Sequence, residues 1–168
     1  KIRPFLDAMN IDLKSFSTGF YLKTCRAKLE PVLETIKLAH ELGIWVEITT
    51  LIIPGENDSD AELGQIAEFI AGIDKNIPWH VTQFHSDYNM RGKPLTPAEK
   101  LEKAHAIGKE AGLKFVYVGN TATEHENTYC PKCGKTLIKR NGTGYEVEIV
   151  SLKNGGCECG EKIPGIWQ

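Results

Sequence analysis

Residues 45–70 read WVEITTLIIPGENDSDAELGQIAEFI, and this stretch decides the fold. Trp45 to Ile53 are mostly β-branched, aromatic or Leu, types that suit a packed strand. Residues 54 to 58 are turn formers. Ser59 then precedes Glu62 by three positions, the pattern in which Ser caps the first helical N–H groups and Glu reaches back. Leu63, Ile66, Ala67 and Ile70 follow at steps of three and four, so they share one helical face. Strand, turn and capped helix make one βα unit.

The same unit recurs on both sides. Strands are predicted to begin near Ala8 (AMNIDLK), Trp79 (WHVTQF) and Phe115 (FVYVG), so the four starts are spaced by 37, 34 and 36 residues. Leu29, Val32, Leu33, Ile36, Ala39 and Leu42 form a helical stripe in the first gap, with Pro31 in its first turn and Gly43 past its end. Thr96-Pro97-Ala98-Glu99 repeats the capping pattern in the third gap, ahead of Leu101, Ala104, Ile107 and Ala111, and Gly112 ends that helix. The fold class is therefore α/β, with parallel strands and right-handed crossovers. Four units are half of an eight-unit barrel of about 250 residues; an open parallel sheet is the alternative. The shortfall, and an opening at Lys1 rather than Met, lead us to expect a chain that begins inside a longer protein. A trimmed leader is the other explanation for the opening.

Composition narrows the function. The 168 residues carry 20 Lys plus Arg against 22 Asp plus Glu, a net charge of −2, which lacks the basic excess of a protein held by nucleic-acid phosphates. There is no run of 18 apolar residues and no secretory-signal pattern at the start, so a cytoplasmic protein is expected. Collagenous and disordered classes are excluded by 41% hydrophobic and 25% charged residues.

After Gly119 the βα pattern stops. Residues 1–121 are expected to form one domain and residues 122–168 a second, small module with a short β-like run at Tyr145–Val150. That module holds Cys130-Pro-Lys-Cys133-Gly and Cys157-Glu-Cys159-Gly, two close pairs each followed by Gly. The pattern reads as a four-thiolate metal site of the zinc-ribbon type. Zinc is the default ion, and iron in a rubredoxin-like site stays open because tetrahedral sulfur does not choose between them. Two disulfides are the alternative. Without metal, so short a segment with few large apolar side chains would barely fold.

Alternation along the strands indicates which face carries chemistry. In the first strand Met9, Ile11 and Leu13 suit a helix-facing side, which leaves Asn10, Asp12 and Lys14 on the other. Parallel strands covered on both faces are ordinarily apolar on both. A structural Asp12–Lys14 ion pair is one explanation. A ligand at the C-terminal strand end is the better one, because such folds place their sites there. In the second strand Val46, Ile48, Thr50 and Ile52 form one set, and Glu47, Thr49 and Leu51 the other. His85 lies at the lip of the third strand, where an imidazole can bond a ligand. His40, His80, His105 and His125 have no such placement and read as structural, and Cys25 as a small buried thiol. No phosphate loop or nucleophile–base spacing is present.

Asp7–Lys14, Trp45–Asp58, Trp79–Met90 with Phe84-His85, Gly119-Asn120, and Asn127–Gly134 through Ile163–Trp167 together resemble the C-terminal half of a radical S-adenosylmethionine enzyme. The likeness is to the branch related to pyruvate formate-lyase activating enzymes that accompanies Memo and AMMECR1 proteins, the AmmeMemoRadiSam group. The resemblance implies a partial (β/α) barrel of radical-SAM type. It implies S-adenosylmethionine and a [4Fe–4S] cluster as cofactors in the intact enzyme, and reductive cleavage of S-adenosylmethionine to a 5′-deoxyadenosyl radical for hydrogen abstraction. A protein substrate such as a glycyl residue, or a Memo- or AMMECR1-type partner, would follow. It also implies that Asn10, Asp12 and Lys14 contact the methionyl end and His85 the nucleoside. Thr49, Gln83, Ser86 and the short Cys-x-Cys depart from the expected pattern. The cysteines at 25, 130, 133, 157 and 159 include no C-x-x-x-C-x-x-C triplet for the cluster. The chain alone is therefore expected to be inactive and to need the missing half of the barrel. Two other functions compete: a non-catalytic scaffold whose ribbon binds a protein, and a metal-dependent barrel hydrolase, for which strand-end His and carboxylates are too few.

Overall fold

The computed structural model describes residues 3–141 and 146–167. Strands β1 (Ala8–Asp12), β2 (Trp45–Ile52), β3 (Trp79–Gln83) and β4 (Val116–Gly119) lie side by side in that order in one parallel sheet. The α/β reading and the four strand positions hold. Three helices make the crossovers: α2 (Leu29–Glu41), α3 (Asp60–Ile73) and α4 (Ala98–Glu110). A short α1 (Thr18–Phe20), capped by the Ser17 hydroxyl, runs on into a wider turn over Tyr21–Cys25.

The helices cover one face of the sheet, because the apolar stripes and the strand alternation meet there. Val46, Ile48 and Ile52 of β2, with Trp79 and Val81 of β3, are at most 1% exposed. They pack against Ile36 of α2, Leu63, Ile66 and Ile70 of α3 and Leu101 and Ala104 of α4. The opposite face is open and polar: burial along β2 alternates, and Trp45, Glu47, Thr49 and Leu51 are half-buried. Register places Asp12 beside Thr49, Thr49 beside His80, and His80 beside Tyr117. One row of polar and aromatic side chains thus crosses the open face.

The two capping patterns fare differently. Ser59 caps α3 as expected, accepting from the Glu62 N–H. The Glu62 carboxylate does not reach back, however. It accepts from the Ser15 hydroxyl and, at 3.0 Å, from the Phe16 N–H. The expected cap at Thr96 is wrong: Pro97 occupies the cap position and Thr96 is fully buried. Its hydroxyl donates to the Ile52 carbonyl (2.6 Å) and accepts from the Phe84 N–H (2.8 Å). Joining the ends of β2 and β3 satisfies two buried backbone groups, a stronger demand than capping an exposed helix end.

Beyond β4 the chain forms β5 (Thr128–Tyr129), β6 (Thr136–Arg140) and β7 (Val147–Ile149) in an antiparallel sheet, then the hairpin β8 (Leu152–Lys153) and β9 (Gly156–Cys157). The expected run at 145–150 narrows to β7, and Tyr145 lies outside the described residues. Leu137, Ile138 and Ile163 form a second core with Cys130 and Cys157, and Phe115, at the start of β4, is buried within it. Among the described residues no helix is long and apolar enough to cross a membrane.

Candidate functional site

Two sites stand out. The first is the rim formed by the C-terminal ends of the strands. Asn10 and Thr49 bond each other through Asn10 Nδ2 to Thr49 Oγ1 (2.8 Å) and Thr49 Oγ1 to Asn10 Oδ1 (3.2 Å). Lys14 Nζ lies 3.0 Å from Asp12, and both side chains keep a third to a half of their surface in solvent. An exposed pair of this kind adds little stability. Its charges are available to a ligand that carries both an ammonium and a carboxylate, as the methionyl end of S-adenosylmethionine does. His85 is exposed, just past β3. β3 is two places from β1 in the sheet. The structure thus groups Asn10, Asp12 and Lys14 and holds His85 apart on the same rim.

The backbone beneath this rim is fastened tightly. The Lys14 N–H donates to Tyr21 Oη (3.1 Å), and the Leu13 carbonyl accepts from Thr50 Oγ1 (2.8 Å). Burial raises the Tyr21 phenol, so it remains a neutral donor and acceptor. The loops after β2 and β3 are joined by Glu56 and Lys93 at 2.6 Å, and the Lys93 ammonium lowers the Glu56 carboxyl. Cys25 sits beside this region, partly buried, and its thiol is raised by that burial.

The second site is the cysteine cluster. Sγ atoms of Cys130 and Cys159, and of Cys133 and Cys157, are 3.6 Å apart, and all four lie within 4.8 Å of one another. Zinc–sulfur bonds of about 2.3 Å in a tetrahedron give edges of about 3.8 Å, so the four thiols have the spacing of one tetrahedral ion. They are too close to surround a cluster of several irons. In this structure they stand as free thiols, not as two S–S bonds of about 2.05 Å. Burial works to raise Cys130, but N–H groups of Cys133 and Lys132 stabilise its thiolate and bring it down to about 7. Cys157 receives the Cys159 N–H, yet burial and the three neighbouring thiols push it up to about 12. Four thiols therefore cannot all ionise unaided, and the group could hold a metal cation, which would supply the missing charge.

Two groupings escaped the sequence reading. On the same open face, beside Asn10 and Thr49 in register, Glu47 accepts from Trp45 Nε1 (3.1 Å) and bonds His80 Nε2 (2.8 Å). His80 stacks on Tyr117, and Arg140 of β6 lies over the Tyr117 ring at 5.3 Å. The bond to His80 lowers the Glu47 carboxyl, against its burial. Tyr117 Oη meets Thr128 Oγ1 at 2.9 Å, which ties the sheet to the cysteine-bearing segment. A cavity of about 330 Å³ remains there, between Ala8, Trp45 and Phe115 on one side and Ile163–Trp167 on the other. Elsewhere, His125 bonds Glu102 (2.8 Å) and stacks on His105. No sequence signal could have paired these residues, because each pairing depends on strand register or helix placement.

With this geometry in hand, the comparisons say what the chain is similar to. Residues 2–70 match the model of the Radical SAM superfamily, a span that covers β1, β2, α2 and most of α3. The chain is 47% identical over 161 residues to the uncharacterized protein MJ0808 of Methanocaldococcus jannaschii, covering 94% of this chain and 48% of that protein. It is 28% identical over 134 residues to the benzylsuccinate synthase activating enzyme of Thauera aromatica, covering 68% of this chain and 39% of that enzyme. A domain of the pyruvate-formate lyase-activating enzyme from Bacteroides vulgatus superposes with a TM-score of 0.61 over 70% of each chain at 21% identity, a likeness of fold. The chain spans about half the length, or less, of the curated relatives it matches.

Proposed function

We propose that this chain is the C-terminal half of a radical S-adenosylmethionine enzyme, in the branch that accompanies Memo and AMMECR1 proteins. Its part in the reaction is to bind and orient S-adenosylmethionine on the strand-end rim. One observation carries the reading: the segment matched by the Radical SAM model ends its first strand in an exposed amide, carboxylate and ammonium on the open face. Lys14 would hold the methionyl carboxylate, Asp12 the ammonium, Asn10 would support them through Thr49, and His85 would contact the nucleoside. S-adenosylmethionine held here would supply a 5′-deoxyadenosyl radical for hydrogen abstraction, its S–C5′ bond breaking and methionine leaving on receipt of one electron from the reduced cluster of the intact enzyme. The residues described here do not fit the [4Fe–4S] cluster of that superfamily, since the 168 residues hold no C-x-x-x-C-x-x-C triplet. This chain alone is therefore inactive in our reading, and the rest of the barrel must supply that loop. Residues 1–121 act as the half-barrel and 122–168 as a module organised by one zinc, or iron, on Cys130, Cys133, Cys157 and Cys159. Four unpaired thiols suit a reducing cytoplasm.

The test is anaerobic reconstitution of the intact protein with iron and sulfide, reduction with dithionite, and chromatographic assay for 5′-deoxyadenosine. The wild type is expected to produce it from S-adenosylmethionine. Lys14→Ala and Asp12→Ala are each expected to raise KM for S-adenosylmethionine about ten-fold, the usual cost of one charge-assisted hydrogen bond. No 5′-deoxyadenosine from a cluster-loaded wild type would remove the proposal.

A further inference from the structure

Asn57 occupies the turn after β2, where a side chain is ordinarily solvated, yet it is 1% exposed. Its Nδ2 donates to the Lys14 carbonyl (2.5 Å) and the Leu51 carbonyl (2.9 Å), and its Oδ1 accepts from the Ile53 N–H (2.7 Å). Both amide hydrogens are thus used, together with one acceptor site. The three backbone groups are those the sheet leaves unserved. The β1–β2 pairing ends at Asp12 and Thr49, so β2 has no neighbour on that side beyond this point. The Asn57 amide takes the place of the absent strand and fastens the end of β1 to the end of β2.

We infer that Asn57 is a positioning residue for the Asp12–Lys14 segment. This rests on the reading of that segment as the methionyl contact of S-adenosylmethionine. Tyr21 fixes the Lys14 N–H, Thr50 fixes the Leu13 carbonyl, and Glu62 fixes Ser15 and Phe16. Among the described residues, the Lys14 carbonyl is held by Asn57. With the amide in place, the backbone from which the Lys14 side chain leaves cannot rotate about its peptide planes. The backbone that carries Lys14 then needs no ordering when a ligand binds, which lowers the cost of association. Glu56, beside Asn57, pairs with Lys93, and Asp58 accepts from the Gly55 N–H (3.0 Å) within the turn, so neither reaches the Lys14 backbone.

A double-mutant cycle on the intact protein separates positioning from mere stability. Equilibrium dialysis with labelled S-adenosylmethionine reads binding without turnover, and circular dichroism reads folding. Asn57→Asp keeps the shape but removes the donors and sets a carboxylate against two carbonyl oxygens. Asn57→Ser is a milder variant that retains one donor, in case Asn57→Asp does not fold. Lys14→Ala and Asn57→Ser are each expected to weaken binding about ten-fold, and the double variant to be no weaker than Lys14→Ala alone. A folded Asn57→Ser that binds like the wild type, or losses that multiply in the double variant, would overturn the inference. Wild-type binding by Lys14→Ala would instead overturn the assignment of the segment itself, and this inference with it.

Discussion

The rings of His105 and His125 stack at 3.9 Å between α4 and the turn that leads into the cysteine-bearing segment. His125 has an anion to balance it, Glu102 at 2.8 Å. His105 has burial against it first, then the charges of His125 and Lys109, and its pKa is lowered to about 4. The folded protein therefore keeps His105 neutral while the unfolded chain protonates it near pH 6.5. Between about pH 4 and 6.5 the unfolded state binds more protons, so this residue makes stability rise with pH across that window and level off above it. Urea titrations at pH 5 and 7.5 should show the wild type weaker at pH 5. His105→Asn should shrink that difference, and an unchanged difference would mean that His105 is not the group responsible. A histidine at that position reads as structural from sequence, and the sign of its pH effect needs the stacked partner. The same limit holds at Glu47 and His80, which are 33 residues apart and meet through the register of two parallel strands. Asn57 was hidden for a different reason. Asn in a turn is expected on local grounds, and nothing local distinguishes a solvated amide from one that replaces a missing strand.

At the scale of elements, the glycines of α3 and α4 test how closely helices approach the sheet. A Cβ on Gly108 of α4 would lie 2.8 Å from Val116 Cγ2 and 2.9 Å from Trp79 Cε3. Trp79 is fully buried and Val116 is β-branched, so neither can move aside easily. Removing a helical Gly gains about 1 kcal/mol, whereas overpacking costs about 1–3 kcal/mol. Gly108→Ala should therefore destabilise on balance, by about 1 kcal/mol. Gly64 and Gly72 of α3 have nothing within 4 Å of the added atom, and Ala there should stabilise by up to about 1 kcal/mol. Opposite shifts in the urea midpoint are the expected result, and a stabilised Gly108→Ala would show that the helix can back away. The elements themselves were legible because two periods, two for strands and near four for helices, alternate cleanly along the chain. The capping readings were half right for a physical reason. Ser59 faces solvent and is free to cap, but Thr96 and the Glu62 carboxylate are claimed by buried backbone donors and acceptors from other elements.

At the scale of the whole molecule, Phe115 links the sheet to the cysteine cluster. It stands at the head of β4 but is buried with Cys130, Cys157 and Leu137 rather than in the core beneath the helices. Metal bound by the cysteines would therefore hold in place the wall that Ile163 to Trp167 make over the cavity at the strand N-termini. The tryptophans report on this directly. Trp45 lines the cavity, Trp167 forms part of the wall, and Trp79 is fully buried under the helices. In a Trp167→Phe background, removing the metal with a strong chelator should make Trp45 more accessible to acrylamide and leave Trp79 protected. The accessible part of the quenching curve should steepen on metal removal, and restored zinc should reverse it. Cys130→Ser should mimic the chelated state, because three thiols with a hydroxyl bind zinc far more weakly than four thiols. Acid should act in the same direction. Protons compete with the metal for the thiolates, so lowering the pH should release the metal and expose Trp45 as the chelator does. If chelation strips the metal and Trp45 stays as protected as before, Phe115 and the Tyr117–Thr128 bond suffice to seat the segment, and the ion serves its own module alone.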